Sequence, residues 1–152
     1  MLRTVLLAVH VGAGGAGLLV GPAAISAALH DRRGTAAGQG YLVAVTVLTA
    51  TAVGLVALDP GALWPFVLLA AGTEAALVGA RFVEARPAHV RLVCGSYVSL
   101  VTALAVVRWG TLLAWVLPTF IGTALVEWAA SSTRRPRPAR TPSRIPTSSP
   151  RP

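Results

Sequence analysis

Residues 62–80 read ALWPFVLLAAGTEAALVGA, nineteen residues with a single formal charge, Glu74. Asp59-Pro60-Gly61 precedes the stretch and Arg81 follows it. A helix of that length rises about 28 Å, close to the roughly 30 Å hydrocarbon core of a bilayer. The apolar positions do not alternate with polar ones, so a barrel strand is excluded. The stretch predicts a membrane-spanning helix that carries one acid inside it.

Four more runs extend the pattern outward: Thr4 to Leu29, Tyr41 to Leu58, Val90 to Val107 and Thr111 to Ala130. Eighteen side chains are formally charged, and all but Glu74 fall between these runs or at their ends. The chain is 55% hydrophobic and 12% charged, where a soluble domain carries about 25% charge. The fold class expected is all-α, a polytopic bundle of five transmembrane helices over residues 1–130. Asp59-Pro60-Gly61 and Arg108-Trp109-Gly110 are expected as tight turns. His30 to Gly34 and Arg81 to His89 are expected as polar loops.

All thirteen basic residues are arginine. The absence of lysine excludes Schiff-base, phosphate-loop and lysine-nucleophile chemistry. The single cysteine, Cys94, excludes an intrachain disulfide and is expected to pack as a small apolar residue.

Cytoplasmic loops retain arginine, which orients the bundle. With the N-terminus outside and the C-terminus in the cytoplasm, eleven arginines lie inside: Arg32, Arg33, Arg81, Arg86, Arg91 and the six of the tail. Only Arg3 and Arg108 lie outside. Trp64 and Trp109 then fall at the outer interface, and Tyr41 and Trp128 at the inner one, as an aromatic belt requires. Treating the first run as a cleaved signal peptide would turn the third loop and the tail outward, against the same rule. The location expected is the plasma membrane of a bacterium.

Residues 131–152 hold six Arg and six Pro and hardly an apolar residue, so they are expected to be disordered. The arginines from Arg134 to Arg144 could hold anionic lipid, at about 1 kcal/mol each near a charged surface. Nothing beside them reads bases, so no nucleic acid is expected as a partner.

Glu74 is the residue most able to carry chemistry. An ionised carboxylate at that depth costs a few kcal/mol, which favours the neutral acid, a donor as well as an acceptor. Thr46 and Thr49 on the second span lie at matching depth, as do Ser99 and Thr102 on the fourth and Thr119 and Thr123 on the fifth. The functional reading makes Glu74 a proton carrier or an anchor for a ligand's polar group. The structural reading makes it a neutral carboxyl tying helices together through these hydroxyls. Glu127, near the end of the fifth span, is expected to reach the interface or to pair with Arg32 or Arg91.

Three histidines raise a redox alternative, in which haem b or quinone is bound through His30 and His89 near the inner face. His10 lies in the outer half of the first span and has no histidine partner at its depth. It is expected as a hydrogen-bonded helix contact or a part of an outer ligand site. No metal cluster, triad or phosphate loop can be assembled. Gly17 and Gly21 form a small-xxx-small pair that permits close packing, and Pro22 is expected to bend the helix.

The leading expectation is a non-enzymatic protein, either an accessory subunit of a membrane partner or homo-oligomer, or a binder of a small lipophilic molecule with Glu74 facing the bundle interior. An embedded enzyme using Glu74 as general acid is the third class. It lacks a second catalytic group at the same depth.

Over residues 8–128 the chain resembles an uncharacterised family of small polytopic bacterial membrane proteins with a domain of unknown function. His10, the glycine cluster and Gly21-Pro22 resemble its first helix. Gly38-Gln39-Gly40-Tyr41 resembles its Gly-x-x-Tyr entry to the second. His89-Val90-Arg91, Ser96-Tyr97 and Arg108 resemble its fourth helix, and Glu127-Trp128 its closing pair. Where that family has a His four residues before the Gly-x-x-Tyr glycine, Gly34 stands here. The resemblance implies the fold and no particular activity.

Overall fold

The computed structural model describes residues 1–133, with side chains outside residues 60–65. The tail after Thr133, with its expected disorder and lipid-binding arginines, lies outside the described residues, as does the side chain of Trp64. The described chain is all helical: α1 (Leu2–Leu29), α2 (Ala36–Leu58), α3 (Pro60–Gly79), α4 (Arg86–Trp109) and α5 (Leu112–Ser132). Four of them are long and apolar enough to cross a membrane, and the described part of α3, Phe66–Gly79, is a shorter apolar helix.

The boundaries follow from local chemistry. α1 runs through Pro22 and stops where Asp31 adopts a left-handed φ of 57°. The Asp31 N–H then bonds the Ala28 carbonyl and the Arg32 N–H the Ala27 carbonyl, closing a Schellman turn over the last carbonyls. Thr35 caps α2, its hydroxyl accepting from the Gly38 N–H at 3.2 Å. α2 therefore starts five residues before the apolar run. The Asp59-Pro60-Gly61 turn is tighter than expected, since Pro60 already opens α3, where its missing N–H costs nothing. α4 starts at Arg86, inside the expected polar loop, and ends at Gly110 with a left-handed φ of 61°.

Helices α1 to α4 form a closed ring, each packing on its sequence neighbours and α1 on α4. α5 lies outside the ring against α4, with Trp115 reaching Phe66 of α3 at a ring distance of 5.9 Å. The main core gathers at the end of the bundle nearest the arginine-bearing loops. It is built from Ala24 and Ala28, Tyr41 and Val45, Leu77 and Ala80, and Val90, Val93 and Cys94. Small residues let the helices approach here. A Cβ on Gly21 would overlap the Tyr97 ring, and one on Gly122 would sit 2.5 Å from both methyl groups of Val98. The outward surface is apolar: Leu19, Leu68, Val107 and Phe120 are all exposed. A surface of that kind is a lipid-facing one, since water-soluble monomers do not carry it.

Tyr41 is not part of an aromatic belt. It is fully buried, its hydroxyl donating to Ser96 Oγ at 3.2 Å while Ser96 donates to the Val93 carbonyl at 2.8 Å. The ring fits because Gly17 and Gly21 present no side chain to it. Trp109 and Trp128 are exposed, as interface residues would be.

A carboxyl in the α2–α3 seam and a basic cleft beside it

The interior stripe of α3 is Thr73, Leu77 and Ala80, all buried. Glu74 is one residue further on, about 100° around the helix. Its carboxyl therefore turns away from the bundle interior, contrary to expectation, and enters the seam between α2 and α3. There Thr46 donates to Oε1 at 2.8 Å. One turn deeper the Thr49 hydroxyl reaches the Ala70 carbonyl at 3.4 Å. Thr46 and Thr49 thus face Glu74 and Ala70 along one line at helical spacing. Glu74 Oε2 is buried and has no hydrogen-bond partner among the described residues.

The other expected partners of Glu74 do not reach it. Thr102 bonds the Val98 carbonyl and Thr119 the Trp115 carbonyl, each on its own helix. Thr123 is exposed, and Ser99 makes no hydrogen bond among the described residues. Thr and Ser in apolar surroundings satisfy themselves on the carbonyl three or four residues back, so matching depth alone does not make them partners.

At the arginine end of the bundle lies a cleft of about 180 Å³. Its floor is apolar, from Ala24, Ala28, Leu42, Leu77 and Val93, and its rim carries Arg32, Arg33, Arg81, Gln39 and His89. No carboxylate lines it. Two further contacts fix its walls. Arg33 donates to the Val83 and Glu84 carbonyls, both at 2.7 Å, which ties the first loop to the third. Arg86 donates to the Leu29 carbonyl at the end of α1. Arg33 also lies 3.5 Å from Asp31. The side chains of Arg32 and Arg81 are exposed and have no partner among the described residues.

All three histidines donate Nδ1–H to a backbone carbonyl: His10 to Leu48 (3.2 Å), His30 to Ser26 (2.8 Å) and His89 to Ala80 (2.8 Å). A carbonyl only accepts, so the proton lies on Nδ1 and Nε2 is left as the ring's other polar atom. His10 also meets Thr51 Oγ1 at 3.0 Å, which makes it the α1–α2 contact expected of it. His89 lines the cleft; His30, exposed at the end of α1, does not. A single iron held by both would need both rings in one cavity.

Glu127 pairs with Arg91, Nε to Oε1 at 2.8 Å and Nη2 to Oε2 at 2.7 Å, a bidentate tie between α4 and α5. Neither residue belongs to the cleft. Sequence reading found Glu74, Thr46 and this pair, but not the cleft. Its rim comes from positions as far apart as Arg32 and His89, each of which signals only membrane orientation or loop solvation by itself.

Neither the family models, the curated proteins nor the solved structures compared with this chain contain a match.

Proposed function

We propose that this is a non-enzymatic integral membrane protein that binds a small lipophilic molecule in the α2–α3 seam, with Glu74 as its polar anchor. The observation that carries the reading is the buried, unpartnered Oε2 of Glu74, beside an Oε1 already held by Thr46. A buried polar atom without a partner costs roughly 1–3 kcal/mol, and a ligand that bonds it recovers that cost. In the neutral form the carboxyl donates through one oxygen and accepts at the other, so it suits a carbonyl, hydroxyl or ether group on an otherwise apolar body. The arginine distribution supports an orientation with the cleft on the cytoplasmic side of a bacterial plasma membrane.

Organic extraction of the purified protein followed by mass spectrometry tests this. A lipophilic compound recovered from the wild type should fall at least tenfold in Glu74→Leu, which removes both the donor and the acceptor, with the variant still inserted and folded. Identical extracts from both proteins would refute the anchor.

A further inference from the structure

We infer that the molecule bound in the seam is an acidic amphiphile, whose anionic head sits in the cleft rimmed by Arg32, Arg81, Gln39 and His89. The inference deepens the lipophile-binding reading and rests on it for the apolar chain; the head site stands on its own residues. Four observations converge. The cleft is lined by three arginines and no carboxylate. Two of those arginines, Arg32 and Arg81, are uncommitted, whereas Arg33 is spent on the Val83 and Glu84 carbonyls and on Asp31. The floor beneath them is apolar, with Leu42 of α2 and Leu77 of α3 among its residues. The volume, about 180 Å³, is on the order of six waters, enough for a phosphate or carboxylate head with its first carbons and too small for a whole lipid.

The rest of such a ligand follows the seam. Arg81 stands two residues beyond the end of α3 and seven beyond Glu74, a separation of about 10 Å at helical rise. An acidic head at Arg81 and a polar group about 10 Å along an apolar chain would meet both sites at once. Guanidinium groups suit the head because they present planar, paired donors to oxyanions and never lose their charge. His89 also lines the cleft. Its Nδ1–H is fixed on the Ala80 carbonyl, which leaves Nε2 as the ring's remaining polar atom at the cleft wall.

Equilibrium dialysis of the full chain in dodecyl-maltoside micelles, against empty micelles, tests this with dodecyl phosphate as the probe. Dodecyl phosphate should bind saturably. Dodecyl phosphocholine, zwitterionic on the same chain, should bind at least tenfold more weakly. Arg32→Gln/Arg81→Gln should lose at least tenfold in affinity, and Arg81→Lys should retain most of the binding. Both arginine side chains are exposed and have no partner among the described residues, so thermal melting of these variants should match the wild type. Equal affinity for the two probes, or unchanged binding in the double variant, would overturn the head site. Inorganic phosphate binding as tightly as dodecyl phosphate would overturn the amphiphile and identify a site for a free oxyanion. Dodecyl phosphate has no polar atom for Glu74, so its binding reports on the cleft alone. The extraction experiment on Glu74→Leu reports on the anchor alone.

Discussion

Replacing Gly21 with alanine should separate α1 from α4. A Cβ built at Gly21 overlaps the Tyr97 ring and lies 3.5 Å from Tyr41. Tyr97 cannot simply swing away, because its hydroxyl donates to the Leu18 carbonyl at 3.3 Å and its ring packs on Tyr41 at 6.4 Å. Relief must come from a shift of the helices, and overpacking of that kind costs about 1–3 kcal/mol. At about 2 kcal/mol the folded-to-unfolded ratio falls roughly 30-fold. Two other glycines of α1 provide the scale. A Cβ at Gly17 meets the far end of Leu100 at 3.1 Å, a flexible contact, so Gly17→Ala should cost under about 1 kcal/mol. A Cβ at Gly12 meets nothing within 4 Å, so Gly12→Ala should be neutral or slightly stabilising. Reversible unfolding in mixed micelles, followed by circular dichroism, should rank the variants Gly12, Gly17, Gly21 from most to least stable. If Gly21→Ala unfolds with Gly12→Ala, the α1–α4 packing described here is wrong.

The α4–α5 contact should show the same logic, with Gly122→Ala weakening α5 docking more than Arg91→Gln, since steric overlap with Val98 outweighs an exposed ion pair. Melting temperatures of the two variants check the order. Tyr41→Phe should cost about 1 kcal/mol or less, because it removes a donor and leaves Ser96 bonded to Val93, whereas Ser96→Val should cost more by leaving the buried tyrosine hydroxyl unpaired. Unfolding free energies that reverse this pair would refute the direction assigned to the bond. In a Cys94→Ala background, a membrane-impermeant thiol reagent added to intact cells should label Thr111→Cys and spare Ala85→Cys; the opposite result would invert the proposed orientation.

Much of the fold is legible in composition and charge. Membrane helices advertise themselves through long apolar runs, and each of the five runs coincides with one helix, overrunning it by at most one residue. Their ends are less legible because capping is local chemistry that hydropathy ignores. Thr35 extends α2 backward with one side-chain bond, and Pro60 starts α3 where a longer turn is expected. Tyr41 shows a different limit. At the end of an apolar run a tyrosine reads as an interface anchor, and only the gap left by Gly17 and Gly21 on another helix makes it a core residue. The site divides the same way. The match between Glu74 and Thr46 follows from depth, but which face of α3 holds the carboxyl depends on packing, and Thr73 and Leu77 take the interior. The cleft is a tertiary product, assembled from the ends of four helices and two loops.

The central claim is that the seam from Arg81 to Glu74 holds a lipophilic molecule. An experimental density map of the protein, purified in mild detergent without stripping its bound lipid, tests it most directly. The map should show elongated non-protein density that starts between Arg32 and Arg81 and ends against Glu74 Oε2. A seam closed by protein side chains, with Oε2 bonded to one of them, would contradict it.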